Sequence, residues 1–162
     1  NFCKVKKVIE GGAERYHSVF NGLMAVDNCE NVFIHDSARP MITKELIELI
    51  LESMEHYNAL IVGVPVKDTI KSVDEQEFVK DTPNREELWQ IQTPQVFKYF
   101  LIKAAYQYVI DNGIQNITDD AMVLELYSGK KEQVKLFKGS YENIKITTLE
   151  DMLIAETFLN KR

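Results

Sequence analysis

Residues able to handle a phosphorylated ligand gather in a few short stretches of the chain. Asp36 and Arg39 stand just past the apolar run Val32-Phe33-Ile34. A carboxylate there can accept from a ribose or polyol hydroxyl or hold Mg²⁺, and a guanidinium can clamp a phosphate with two parallel hydrogen bonds. The two can equally pair with each other. Lys67-Asp68-Thr69, Arg85, Thr93 and Lys145 add cations and hydroxyls that suit a phosphorylated substrate or stand as solvated charges. Gly11-Gly12 permits close backbone approach to a ligand, or a plain tight turn. Asp119-Asp120 fits a metal pair or the acids that a helix N-terminus favours. Trp89 and Leu88 read as packing residues rather than a base-stacking platform, and His35 as a strand-end core histidine. Hydrolase chemistry finds no support. His17, His35 and His56 lack a metal spacing such as H-E-x-x-H, and there is no G-x-S-x-G elbow. Cys3 and Cys29 form neither a C-x-x-C motif nor a disulfide framework.

Alternating elements must position these groups. Residues 4–10 read as a short strand closed by the glycines, and 15–25 as a helix with Val19, Leu23 and Met24 on one face. Residues 31–35 and 59–64 read as buried strands. Between them Thr43 caps a helix with Leu46, Ile47, Ile50, Leu51 and Met54 at helical spacing. Further helices are expected over 98–112, from Asp119 to near Gly129, and after Thr148, where Asp151 completes a capping-box variant. Val134 with Leu136, and residues 144–146, read as strands. The pattern implies an α/β fold: a mostly parallel, twisted, Rossmann-like sheet with helices on both faces. Residues 69–73 and 78–81 stand apart as a polar, hairpin-like protruding β-arm. In such sheets ligands bind beyond the carboxyl ends of the strands. Gly11-Gly12 and residues 36–40, 65–69 and 145–148 would therefore share one rim.

The 162 residues, 45% apolar and 27% charged, fit one domain over 1–162 and exclude collagen-like, disordered and coiled-coil classes. No apolar run approaches the ~18 residues of a membrane span. A net charge of −6 argues against a general nucleic-acid binder. Cysteine usage fits a reduced, cytoplasmic setting. The first residue is Asn1, without a signal-peptide h-region, so the chain is expected to begin inside a longer gene product.

The ordered motifs carry a resemblance. Gly11-Gly12-Ala13-Glu14-Arg15-Tyr16-His17-Ser18-Val19 resembles the GG-x-x-R-x-x-S-V segment of the 2-C-methyl-D-erythritol 4-phosphate cytidylyltransferases. His35-Asp36-Ser37-Ala38-Arg39-Pro40 is similar to the family's H-D-x-A-R-P block, and Val66-Lys67-Asp68-Thr69-Ile70-Lys71 to its V-x-D-T-I-K. Arg85-Glu86-Glu87-Leu88-Trp89-Gln90-Ile91-Gln92-Thr93-Pro94-Gln95 resembles R-x-x-L-W-x-x-Q-T-P-Q. Ile117-Thr118-Asp119-Asp120-Ala121 and Gly139-Ser140-Tyr141-Glu142-Asn143-Ile144-Lys145-Ile146-Thr147 complete the order.

The resemblance implies a magnesium-dependent transfer (or one using another divalent cation) from CTP to a polyol phosphate in non-mevalonate isoprenoid biosynthesis. Under it Gly12 and Ser18 would contact cytosine, although the family often has Asp where Ala13 stands. Asp36 would hold sugar-phosphate hydroxyls or lie at the metal, supported by Arg39. Thr69, Arg85 and Thr93 would clamp the substrate phosphate with Thr118 nearby, and Lys145 would reach the reacting phosphates. Residues 69–85 would form a dimerisation arm, so Thr69 and Arg85 would serve the partner's site in a homodimer. The family's Gly-rich phosphate loop and its P-K-Q are not in the sequence. The domain therefore reads as N-terminally incomplete, and this chain alone as inactive. A ribitol 5-phosphate cytidylyltransferase is the rival within the class. A non-catalytic α/β module that binds a nucleotide or a protein is the rival outside it.

Overall fold

Branched and aromatic residues make the sheet. Val32, Phe33 and Ile34 lie in β1 (Asn31–Ile34), and the apolar run that follows the first capped helix forms β2 (Ala59–Pro65). The computed structural model describes residues 3–27, 29–129 and 131–161. Asn1 and Phe2, where the expected internal start falls, lie outside them.

The arm pairs as expected, β3 (Ser72–Val73) antiparallel to β4 (Val79–Asp81). Asp74 closes its turn by accepting from the amides of Gln76 and Phe78 at 3.0 and 2.9 Å. The main sheet is completed by β5 (Trp89–Lys98) and β6 (Lys135–Lys138), in the order β1-β5-β2-β6. β2 and β6 are parallel, whereas β5 runs antiparallel to both β1 and β2. Three of the four strands thus share a direction and one central strand opposes them. The β2 register shifts between Ile61 and Gly63, opposite the cis Thr93–Pro94 bond.

Helices cover both faces. α2 (Lys44–Ser53) packs Ile50, together with Met54, on Leu60, Val62 and Val96. On the other face α1 (Arg15–Ala25), α3 (Tyr99–Asp111) and α4 (Asp120–Ser128) enclose Ile34, Ala59 and Phe97. Val96 and Phe97 point to opposite faces, as the two-residue period of a strand requires. The expected caps are present. Thr43 accepts from the Leu46 amide at 3.2 Å, and Gly129 ends α4 in the left-handed region at φ 59°; Asp119, expected in the first turn of α4, is instead its cap, accepting from the Met122 amide at 2.9 Å. Thr148 and Asp151 form the capping box of α5 (Leu149–Leu159).

Three expectations are corrected. Residues 4–10 are an exposed irregular segment with Val8 91% exposed, because no strand among the described residues runs alongside to take its hydrogen bonds. Residues 144–146 form no strand either; they follow the inward-turned Asn143, and the Ile146 amide makes one bond to the Ala38 carbonyl at 2.8 Å. Met24 is 49% exposed, since Leu23 takes the buried position on α1.

Gly139 follows β6 where a side chain has no room. A Cβ there would come within 2.5 Å of Val62 Cγ1 and 2.6 Å of Gln92 Oε1. Gly139→Ala is expected to destabilise the protein by about 1–3 kcal/mol through overpacking. Urea denaturation measures it, and an unchanged midpoint would mean that the contact relaxes freely.

Candidate functional site

β5 carries polar side chains into the interior: Gln92 and Thr93 are 5% exposed and Gln95 is 1% exposed. Each must find partners, because a buried polar group left unpaired costs about 1–3 kcal/mol. The partners are loops beyond the strand ends. The Gln95 amide nitrogen donates to Asp119 Oδ2 at 3.0 Å, and its oxygen accepts from the Ala121 amide at 2.9 Å, fixing the start of α4. Gln92 donates to the Ser140 carbonyl at 2.9 Å. Asn143, 1% exposed, donates back to the Thr93 carbonyl at 2.9 Å and to Gln92 Oε1 at 3.3 Å.

Thr93 fixes the loop after β1. Its hydroxyl oxygen accepts from the Asp36 amide at 3.0 Å and lies 3.0 Å from His35 Nδ1. His35 Nε2 is 3.0 Å from the Arg39 carbonyl. A carbonyl only accepts, so His35 Nε2 is the donor in that contact, and Nδ1 holds the Thr93 hydroxyl on its other side.

These loops enclose a cavity of about 320 Å³ lined by Arg15, Asp36, Arg39, Thr93, Thr118 and Lys145, with Gln92 and Gln95 at its base. A second cavity of about 290 Å³ shares Arg39, Gln92 and Lys145 and extends to Tyr141. Asp36 is the anionic centre. Its Oδ2 lies 3.0 Å from Lys145 Nζ and 3.7 Å from Arg39 Nε, and its Oδ1 lies 3.5 Å from Arg15 Nε. The Arg39 contact is an ion pair too long for a hydrogen bond; its Nη1 donates instead to the Asn143 carbonyl at 2.8 Å. Arg15 makes a two-bond pair with the fully buried Asp120, at 2.9 and 2.8 Å, and the Tyr106 hydroxyl donates to the same carboxylate.

Burial pushes the Asp36 carboxyl upward, but the Lys145 hydrogen bond and the charges of Lys145, Arg15 and Arg39 outweigh it and hold it below its ordinary value. Burial lowers Arg39, partly offset by Asp36. The Asp120 hydrogen bonds raise Arg15 against the effect of burial. Burial and the adjacent Asp120 charge raise the Tyr106 hydroxyl, which keeps it a donor.

The structure therefore brings together five sequence-derived candidates: Asp36, Arg39, Thr93, Thr118 and Lys145. Gly12, Ser18, Thr69 and Arg85 do not line this cavity. The Gly12 amide donates to Ser18 Oγ at 2.9 Å, and a Cβ on Gly12 would come within 2.2 Å of His17 Cβ, so the glycine's close approach is to α1 itself. Thr69 and Arg85 are exposed at the base of the arm, with Arg85 donating to the Lys67 carbonyl at 2.9 Å.

Sequence reasoning missed Arg15, Gln92, Gln95 and Asn143. One signal was available: a cation on the first residue of a helix opposes the helix dipole, so Arg15 needed an anionic partner elsewhere. Asp119 and Asp120 act as helix cap and arginine partner, and no cluster of three potential metal ligands occurs among the described residues. The donor set around Asp36 does not fit a resident divalent cation: one carboxylate faces three cationic side chains, where a protein-held ion needs several oxygen donors.

A cationic, hydroxyl-lined cavity beyond the strands of a mixed α/β sheet has the chemistry that suits a phosphorylated ligand. The family profile of IspD, 2-C-methyl-D-erythritol 4-phosphate cytidylyltransferase, matches residues 3–161. A relative of that name from Caldanaerobacter subterraneus subsp. tengcongensis is 51% identical over 156 residues, covering 96% of this chain and 67% of the relative. Another from Clostridium botulinum (strain Langeland) is 48% identical over 162 residues, covering 99% of this chain and 69% of the relative. The crystal structure of 4-diphosphocytidyl-2C-methyl-D-erythritol synthase from Anaerococcus prevotii superposes with TM-score 0.85 at 38% identity, covering 93% of this chain and 68% of that one. The Thermus thermophilus 2-C-methyl-D-erythritol 4-phosphate cytidylyltransferase does so with TM-score 0.82 at 32% identity, covering 94% and 72%. The chain belongs to the 2-C-methyl-D-erythritol 4-phosphate cytidylyltransferase family.

The lowered Asp36 value has a sign that can be tested. A depressed carboxylate contributes stability above its unfolded pKa of about 3.9 and loses it as pH falls through the lower folded value. The stability difference between wild type and Asp36→Asn should hold constant above about pH 5 and shrink below about pH 4. Urea titrations across that range measure it; a pH-independent difference would show that the three cations do not stabilise the ionised form.

Proposed function

We propose that this protein transfers the cytidylyl group of CTP to 2-C-methyl-D-erythritol 4-phosphate, in the non-mevalonate route to isoprenoids. The observation that carries the reading is the Lys145–Asp36–Arg39 cluster, at 3.0 and 3.7 Å, within the polar cavity of a chain from this family. An oxygen of the polyol's phosphate attacks the α-phosphorus of CTP. The new P–O bond forms as the bond to the bridging oxygen breaks, and its electron pair leaves with pyrophosphate. The attacking oxygen is ionised near neutral pH, since the second phosphate pKa is about 6, so no general base is required. Positioning and cationic stabilisation then carry the chemistry.

In this reading Lys145 is the cation that moves. Its side chain is 44% exposed, against 13% for Arg39 and 36% for Arg15, so it can turn from Asp36 toward the reacting phosphates while the guanidiniums stay. Asp36, relieved of one partner, then accepts from hydroxyls of the sugar phosphate. Thr118 adds a hydroxyl at the rim, and Thr93 orients the Asp36 backbone by accepting from its amide while its hydroxyl is held against His35 Nδ1. A divalent cation would be held by the oxygens of the CTP phosphates rather than by the cation-paired Asp36, and would offset the charge on those phosphates. Gly12 and Ser18 meet the base. No helix among the described residues is long and apolar enough to cross a membrane.

Steady-state turnover of the whole protein with CTP and each polyol phosphate tests the reading. Faster use of methylerythritol phosphate than of ribitol 5-phosphate is expected, and the reverse would overturn the substrate. Lys145→Met should lower kcat about 10²–10³-fold, the size of effect seen when one preorganised donor to developing charge is removed.

The arm supports a homodimer. Val73, Phe78 and Val79 are 51%, 72% and 60% exposed on a two-stranded hairpin, which is marginal in water by itself. A two-fold axis lets such a patch meet its own copy, bringing Thr69 and Arg85 to the partner's cavity. Replacing residues 72–80 by a short Gly-Ser turn should give monomers in light scattering and depress turnover. A dimeric, fully active variant would remove the arm from the interface.

A further inference from the structure

Arg15 is the least expected member of the cavity. It occupies the first residue of α1, where a positive charge is disfavoured by the helix dipole. Its two terminal nitrogens are committed to Asp120 at 2.9 and 2.8 Å. Asp120 is itself held: it is fully buried, begins α4, and receives the Tyr106 hydroxyl from α3. The remaining nitrogen, Nε, faces Asp36 Oδ1 at 3.5 Å. The other carboxylate oxygen, Oδ2, serves Lys145 and Arg39. The two oxygens of Asp36 thus have separate partners: Arg15 on Oδ1, and Arg39 together with the more exposed Lys145 on Oδ2.

Stability alone is a poor reason for this arrangement. A buried ion pair contributes little net stability compared with an apolar pair of similar volume. The charge is better explained by its third contact, which only arginine can make while keeping two bonds to Asp120. We propose that Arg15 is a positioning residue for cytidylyl transfer: anchored by Asp120 and Tyr106, it fixes the plane of the Asp36 carboxylate and so the starting position of Lys145. The inference rests on the functional reading above. Arg15 acts through Asp36 and need not touch the substrates.

The test uses the whole protein in three forms: wild type, Arg15→Lys, and Arg15→Gln combined with Asp120→Asn. The double variant keeps a neutral hydrogen-bonded pair in the buried position and leaves no uncompensated charge. Arg15→Lys keeps a charge against Asp120 but has no second nitrogen to reach Asp36. Melting temperature, kcat, and KM for CTP and for methylerythritol phosphate are measured on each. The double variant should melt within about 3 °C of wild type. Both variants should lose at least about 10-fold in kcat with each KM changed less than about 3-fold, the signature of an interaction used in the transition state. Recovery of kcat together with melting temperature in the double variant would make Arg15 merely structural. Wild-type kcat in Arg15→Lys, or a rise in KM at constant kcat, would also overturn the proposal. If the double variant melts early, the Arg15→Lys split decides by itself. Wild type without cytidylyl transfer would sink the functional reading first, and the proposal with it.

Discussion

Polar side chains buried along one central strand hold the site together. Gln92, Thr93 and Gln95 of β5 stand between β1 and β2, where unpaired groups would be costly and water cannot reach them easily. Their hydrogen bonds run outward to the loop after β1, the start of α4, and the stretch after β6. Those segments are distant in sequence. Their polar groups are held by β5 side chains, so the strand's need for partners becomes a source of order for the loops.

The electrostatics follow from that frame. A carboxylate in the middle of a cavity proposed to bind phosphate looks counterproductive until its partners are considered. Arg15, Arg39 and Lys145 would repel one another in an empty site, and Asp36 gathers them at 3.0–3.7 Å. In the proposed function an arriving phosphate takes over the most exposed cation, Lys145, without rebuilding the site. The two guanidiniums are tied elsewhere, Arg39 to the Asn143 carbonyl and Arg15 to Asp120, so each has one face fixed in the protein. Preorganised charge of this kind avoids the reorganisation that water would require during reaction.

Much of the fold was legible because its signals were local. Thr43, Asp119, Gly129 and the Thr148–Asp151 pair mark helix ends by side-chain chemistry alone, and the helices lie where those residues put them. β5 was not legible. Its sequence WQIQTPQVFK has glutamines at the spacing of an exposed face and a proline in its middle, both of which argue against a central strand. Only tertiary context makes it one, since its polar groups find partners on other loops. The reverse error occurred at residues 4–10, whose Val- and Ile-containing run closed by two glycines is strand-like but has no neighbour among the described residues. At the site, Asp36, Arg39 and Lys145 were found because they follow apolar strands or lie in recognisable blocks. Arg15 and Asp120 were missed as partners because their pairing spans 105 residues and leaves no local trace.

Amide hydrogen exchange of the native protein, followed residue by residue, reports most directly on whether β5 orders the site. The amides of Asp36 and Ala121 lie outside regular strand pairing, and each donates to a β5 side chain, Thr93 and Gln95 respectively. If the strand is the organising element, both should be protected at least about 100-fold relative to unstructured peptide, and Thr93→Val should release the Asp36 amide while leaving Ala121 slow. Rapid exchange at both positions in the wild-type protein would contradict the account, because the loops would then be ordered, if at all, by something other than the buried polar residues of β5.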